Sequence, residues 1–390
     1  MAGPEHRKEG ILPSQEIREL ISNGKILSGA EISDDQIQPA SIDLRLGSVA
    51  YQVRASFLPR GNALIGPRIR ELHLAEINLS KPAVLGAGKV FIVPLVESLA
   101  LPQDMGGKAN PKSTTGRLDI FTRLMTERGA EFDVIPQGYS GSLYVEIVPR
   151  TFPIIVCAGT KLNQLRFFRG EPQRDDDKLR QLAHKRQLVY YENGENPGKP
   201  VIHEGLRLSI DLQGDEGQSI AAFKARRQGT PVDLARVAAY DPADFWDALE
   251  AKDLKGGLVL DPGDFYLLAS KERVGVPADY AAEMAQYDPS IGEFSVHYAG
   301  FFDPGFGYGR AGEIKGTKAV LEVRAHEVPI LLEDRQQVGR LIYHKMAGRP
   351  EKLYGRGIGS SYQQQGLALS KQFKTPVHAP MAASRSSSLD

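Results

Sequence analysis

Short runs of Val, Ile, Leu, Phe and Tyr recur along the chain, each closed by glycine, proline or a polar cluster. With 40 glycines and 25 prolines as punctuation, this spacing predicts many brief β-strands in a sandwich or barrel-like fold, not alternating βαβ units. Helical periodicity is confined to a few stretches. Ser14 reads as the N-cap of a helix carrying Ile17, Leu20 and Ile21 on one face. A charged helix is expected over Asp176–Arg186, and another over Ala243–Ala251 around Trp246. Residues 1–10 and 377–390 are polar and read as disordered tails, the second ending Ser386-Ser387-Ser388-Leu389-Asp390.

The pattern is written twice. Ser41-Ile42-Asp43-Leu44 returns as Ser209-Ile210-Asp211-Leu212, and Val84-Leu85-Gly86-Ala87-Gly88 as Val259-Leu260-Asp261-Pro262-Gly263. Glu146, Pro153 and Leu165 match Glu322, Pro329 and Leu341 at a constant offset of 176 residues. Order is kept throughout, so the chain reads as two diverged copies of one β-rich unit. The boundary is expected in the loop Asn193–Gly198, giving units of 11–198 and 199–376.

Charge changes the picture by exclusion. Lys plus Arg equals 48 and Asp plus Glu equals 48, so there is no global attraction for a nucleic-acid polymer and phosphate must be bound locally. No apolar run approaches the roughly 20 residues of a membrane helix, and the N-terminal residues lack the apolar core of a secretory signal. Cytoplasm is the expected compartment. The single cysteine, Cys157, cannot supply the Cys-x-x-Cys pair of zinc nucleobase deaminases. Hydrolytic chemistry here would activate water without zinc, most simply with a carboxylate.

Three segments carry candidate chemistry. Asn110-Pro111-Lys112-Ser113-Thr114-Thr115-Gly116-Arg117 follows a strand and offers hydroxyls, two cations and a glycine to a small anion, although a polar β-turn would look the same. Ala299-Gly300-Phe301-Phe302-Asp303-Pro304-Gly305 reads as a hairpin turning at Asp-Pro-Gly. The returning strand, Val320-Leu321-Glu322, bears one carboxylate among apolar neighbours, where desolvation would suit a general base; simple alternation would instead leave Glu322 facing solvent. Tyr354 to Gly366 combines glycines with polar side chains, as a lid or a tail would.

In order, these segments resemble the dCTP deaminases, relatives of the trimeric dUTPases. Gln38 to Gly47 is similar to that family's N-terminal strand motif. Lys112-Ser113-Thr114-Thr115-Gly116-Arg117 resembles its Arg-Ser-Ser-Leu-(Gly/Ala)-Arg phosphate loop, with Lys in first place. Ala299–Gly305 is similar to its hairpin, Val320-Leu321-Glu322 to the strand of its catalytic glutamate. Tyr354 with Tyr362-Gln363-Gln364-Gln365-Gly366 resembles its tail, with Ser361 where the family has Lys and one residue fewer. The copies diverge in complementary ways: the first has Pro136 where the second has Asp303, and the second has Asp288-Pro289-Ser290-Ile291-Gly292-Glu293 where the first has its phosphate loop.

The resemblance implies a mainly β protein of two tandem dUTPase-like domains (β-clip, or distorted jelly-roll) with a few short helices. It implies deamination of dCTP to dUTP and ammonia, without zinc and with Mg²⁺ accompanying the triphosphate. Glu322 would be the general base, Glu146 its rival from the other copy, and Ala299 would shape the pocket near the attacked carbon. Lys112, Ser113, Thr114 and Arg117 would hold phosphates and Asp303 would orient the nucleoside. Val320, Leu321, Tyr354 and Tyr362 would line the substrate, with Gln364 closing the tail. A homo-oligomer is implied, a trimer or a smaller assembly of two-repeat chains. The alternatives are dUTP pyrophosphatase activity, alone or with deamination, and a non-catalytic nucleotide-binding regulator.

Overall fold

A computed structural model describes residues 8–375 apart from 60, 62, 173, 215–218, 286–293, 298–299 and 356–361. Ala299, the Asp288–Glu293 segment, Ser361 and most of both expected tails therefore lie outside the described residues.

The repeat in sequence is a repeat in space, and the chain is mainly β. In the N-terminal half, strand Ser140–Pro149 runs antiparallel between Val90–Ala100 and Ile120–Thr126. In the C-terminal half, Thr317–Ala325 takes the same place between Phe265–Val274 and Phe294–His297. A second trio repeats likewise. Lys161–Arg169 lies between Ile42–Arg45 and Met105–Pro111, and Gln337–Lys345 between Leu206–Asp211 and Tyr280–Ala285. Alternation explains what each strand buries. Along Thr317–Ala325, Ala319, Leu321, Val323 and Ala325 enter the C-terminal core, while Val320 faces the other way.

The halves are not independent modules. Ile154–Val156 of the first half accepts Val232–Asp233 of the second in parallel, Ile154 opposite Val232. Around this seam Phe152 meets Trp246 at 5.6 Å between ring centroids, and Phe373, near the end of the described chain, meets Trp246 at 5.9 Å and Phe245 at 5.3 Å. One apolar core thus takes residues from both repeats and from the tail.

Three expectations about local structure are corrected. The first helix forms over Ser14–Ser22, but Pro13 is its N-cap and no side chain caps it. Ser14 is buried and spends its backbone N–H on Pro39 O at 3.0 Å. No helix spans Ala243–Ala251. Pro242–Phe245 makes one turn, capped by Asp241 on Ala243 N, and Trp246–Glu250 is a strand on Ile220–Ala225. The reason is burial: Trp246 is 2% exposed within the aromatic seam, and packing an indole outweighs a few residues of helix propensity. Asp303-Pro304-Gly305 closes no hairpin onto the glutamate strand. Phe301–Phe302 pairs with Tyr280–Ala285 instead, and turns fill the interval to Thr317.

The charged helix forms over Asp176–Lys185, capped by the Asp175 side chain. Its Leu179 and Leu182, with Leu188 and Val189 beyond, pack into the C-terminal core, so residues 176–191 sit on the second half although the repeat alignment attaches them to the first. A further helix, Ile65–Leu72, buries Ile65, Ile69 and Leu72. Among the described residues no helix is long and apolar enough to cross a membrane.

Truncating a well-packed aromatic should test whether the tail belongs to the core. Phe373→Ala is expected to cost about 3–5 kcal/mol, read from the urea midpoint of the full chain. An unchanged midpoint would mean that the tail merely rests on the surface.

Candidate functional site at the seam of the repeats

Strand Met105–Pro111 delivers Lys112 and then a four-residue helix, Ser113–Gly116, in place of a simple turn. The loop is fixed from several directions. Lys112 Nζ donates to Asp43 Oδ2 at 2.5 Å, joining the loop to the first copy of the repeated Ser-Ile-Asp-Leu. Thr115 Oγ1 donates to Leu162 O at 2.9 Å, and Asn110 Oδ1 accepts from Gly300 N at 2.5 Å across the seam. Burial pushes the Asp43 carboxyl upward against the pull of Lys112.

The other repeat meets this loop within the same chain. A Cβ placed on Gly116 would lie 2.5 Å from both carboxylate oxygens of Glu322. Only a residue without a side chain lets the loop backbone rest on that carboxylate. Glu322 is 2% exposed, so the solvent-facing alternative is ruled out. Val320 shares its face and lines the same small pocket of about 40 Å³, with Ser113, Arg117 and Tyr354. Leu321 points into the core and does not line it.

A larger cavity of about 690 Å³ adjoins this pocket, and the two share Ser113, Phe301, Tyr354 and Tyr362 as walls. Lys112, Lys161 and Lys371 line the larger one, together with Thr114 and Asp303. Lys161 pairs with Asp35 at 2.6 Å. Burial, with Lys112 and Lys161 close by, pulls the Lys371 ammonium below its ordinary value. Asp35 and Asp43 line the same cavity, so the three lysines face three carboxylates, and Lys112 and Lys161 are each held by one of them. Asp303 is 7% exposed, and burial raises its carboxyl while the charge of Arg166 opposes the rise.

The tail closes the pocket. The Arg117 guanidinium stacks 3.7 Å from the Tyr362 ring centroid and donates to Ala368 O at 2.9 Å. Ser370 Oγ donates to Thr114 O at 2.9 Å. Burial pushes the phenols of Tyr354 and Tyr362 upward. The tail glutamine at the inner pocket is Gln365, whose Nε2 reaches Lys318 O at 3.4 Å. Gln364 lines neither cavity; its backbone N–H bonds Thr317 Oγ1 at 3.2 Å. Gln363 ties the tail to the Asp303 turn by donating to Gly305 O at 3.0 Å.

Glu146 occupies the place of Glu322 in the first repeat but not its surroundings. Arg123, opposite it on the neighbouring strand, donates to its Oε1 through Nε at 3.0 Å and Nη2 at 2.5 Å. The Arg123 guanidinium is itself covered by the Phe132 ring at 3.6 Å. Phe132 aligns with Ala299 in the second repeat, so a large ring and a guanidinium fill the ground beside Glu146. That carboxylate is wholly buried and lines neither cavity.

Lys161, Lys371, Arg166 and Gln365 were not singled out in the sequence. Lys161 carried a signal, being four residues before the repeated Leu165, but nothing marked it as facing the loop. Lys371 lies in a stretch whose composition resembles an ordinary tail. Among the described residues no group of three or more His, Cys, Asp or Glu gathers as a metal cage.

The architecture is that of a tandem dUTPase-like β protein. Residues 8–171 match the 2'-deoxycytidine 5'-triphosphate deaminase (DCD) N-terminal domain, and residues 175–373 match the C-terminal domain of the same family. The chain belongs to the dCTP deaminase family. A crystal structure of 2'-deoxycytidine 5'-triphosphate deaminase from Agrobacterium tumefaciens is 49% identical, superposing with a TM-score of 0.81 over 88% of this chain and all of that one. Among curated relatives, a dUMP-forming dCTP deaminase of Dictyoglomus thermophilum is 26% identical over 52% of this chain and 96% of its own length. Another, from a Parafrankia species, is 32% identical over 41% of this chain and 76% of its own.

The Gly116–Glu322 approach can be tested without a ligand. Gly116→Ala is expected to cost about 1–3 kcal/mol as an insertion into packed space, although alanine is the better helix former. A urea midpoint equal to that of the parent would mean that the carboxylate moves aside freely.

Proposed function

We propose that this chain hydrolyses the exocyclic C4–N bond of dCTP, releasing ammonia and dUTP, at one site per chain. The observation that carries the reading is that Ser113 and Arg117 of one repeat and Glu322 of the other line a single pocket, which shares walls with a polar cavity of about 690 Å³, large enough for a nucleotide.

In this reading the triphosphate lies along Lys112, Ser113, Thr114, Lys161 and Lys371, with Arg117 offering a forked donor once Tyr362 yields it. Mg²⁺ would be carried by the phosphate oxygens and water. That suits a wall with lysines, hydroxyls and separate aspartates, since this ion keeps most of its hydration and takes few protein ligands. Asp303 accepts hydrogen bonds from the nucleoside, and Ala299 leaves room beside the attacked carbon. Glu322 takes a proton from water as the hydroxide adds to C4 and passes it to N3, making a tetrahedral carbon that bears both a hydroxyl and the amine. The carboxylate then takes the hydroxyl proton and gives it to the departing amine, so the C4–N bond breaks, the carbonyl forms and ammonia leaves while N3 keeps the first proton. Tyr354, Val320 and the tail exclude other water. Glu146, neutralised by Arg123, has a structural part.

A second reading adds pyrophosphate release in the same site. It is favoured by the dUMP-forming dCTP deaminases among the relatives. Because loop and glutamate meet within one chain, a homo-oligomer, trimeric or smaller, would brace the site without being needed to complete it. Free dCTP and the single unpaired cysteine both suit the cytoplasm.

Incubating the purified chain with dCTP and Mg²⁺, with anion-exchange separation of products, decides among these. The expected product is dUTP with stoichiometric ammonia. dUMP would establish the second reading, and an inert protein would overturn both. Glu322→Gln should lower turnover by about 10²–10⁴-fold while calorimetry still detects dCTP at one per chain. Full activity in that variant, with loss in Glu146→Gln, would transfer the catalytic role to Glu146.

A further inference from the structure

Behind Asp303 stands a residue that no motif marks. Arg166, in strand Lys161–Arg169 of the first repeat, is 2% exposed and reaches into the second. Its Nη2 donates to Asp303 Oδ1 at 3.2 Å and its Nη1 to Ala282 O at 3.0 Å. The guanidinium lies 4.0 Å from the Phe301 ring centroid. Arg166 lines neither cavity, whereas Asp303 walls the larger one. A buried guanidinium is costly unless a carboxylate answers it, so its presence calls for a reason.

The internal repeat supplies a control. The 176-residue offset puts Ile342 in the place of Arg166. The sheets agree: Arg166 stands opposite Lys108, Ile342 opposite Glu283, and Lys108 and Glu283 themselves form an ion pair of 2.8 Å between the repeats. The first repeat has Pro136 where the second has Asp303. Guanidinium and carboxylate are thus both present in one combination of repeats and both absent in the other. An arginine needed only to fill the core has no cause to vanish together with the aspartate.

We infer that Arg166 is a positioning residue of the nucleotide site, holding the Asp303 carboxylate oriented to accept a hydrogen bond from the bound nucleoside. With Oδ1 fixed by the guanidinium, ligand recognition falls to Oδ2. The carboxylate's other charged surroundings are Lys112, which favours its ionised form, and Asp43, which opposes it. Tyr354 feels the charge of Asp303, and Glu283 lies near enough to influence Arg166. Removing Arg166 leaves burial as the larger influence on Asp303, so the carboxyl holds its proton to higher pH.

The kinetic half of the test rests on the deaminase reading. kcat/KM for dCTP is measured against pH, and Kd for dCTP by calorimetry, in Arg166→Met, Arg166→Lys, Asp303→Asn and the Met/Asn double variant. Arg166→Met should lose on the order of 10²-fold in kcat/KM near neutrality, with its acid limb displaced to higher pH. Arg166→Lys should lose less. Asp303→Asn should lose a similar factor without that displacement, and the double variant should be no worse than Asp303→Asn alone. Losses that multiply, or a uniform loss with an unmoved pH profile, would overturn the inference. Should Arg166→Met fail to fold, the Lys variant with and without Asp303→Asn decides by the same criteria. A parent chain that binds dCTP without converting it would overturn the deaminase reading alone, and coupling in Kd would then judge the pair.

Discussion

The site depends on one contact, the Gly116 backbone lying on the Glu322 carboxylate. It brings the Lys112–Arg117 loop of one repeat against the glutamate strand of the other. Almost everything else near the seam serves to hold those two surfaces in place. Asn110 bonds Gly300, Arg166 bonds Asp303, and a shared aromatic core welds the halves and draws in the tail.

Divergence of the two copies makes chemical sense on this frame. Duplication leaves two loops and two glutamates, but only one combination retains loop, aspartate and a glutamate that lines a pocket. At the other, Arg123 bonds Glu146 and Phe132 covers the guanidinium, so that this position is packed. Glu146 depends in turn on its neighbours, since removing Arg123 alone would strand a buried charge.

Much of this was legible in the chain. The duplication, the β class, the loop and the carboxylate strand all leave local marks: repeated tetrapeptides, alternation, turn residues and a fixed offset. What escaped notice was set by tertiary packing. Trp246 lies in a stretch with helical composition and becomes a strand because an indole must be buried between the halves. Asp303-Pro304-Gly305 has the chemistry of a tight hairpin, yet Phe301–Phe302 finds a partner strand far off in sequence. Arg166 looked like any charged residue in an amphipathic strand, and its partner is 137 residues away. Gln364 and Gln365 are indistinguishable by composition, and the folded tail brings Gln365 to the inner pocket.

Covalent fusion of the repeats has a kinetic consequence. A catalytic centre divided between separate subunits obeys mass action: it is populated only as far as the subunits associate, and dilution dismantles it. Here the peptide linkage near residue 175, helped by the shared core, replaces that bimolecular equilibrium with an intramolecular one of high effective molarity. The meeting of the Lys112–Arg117 loop with Glu322 is thereby independent of protein concentration.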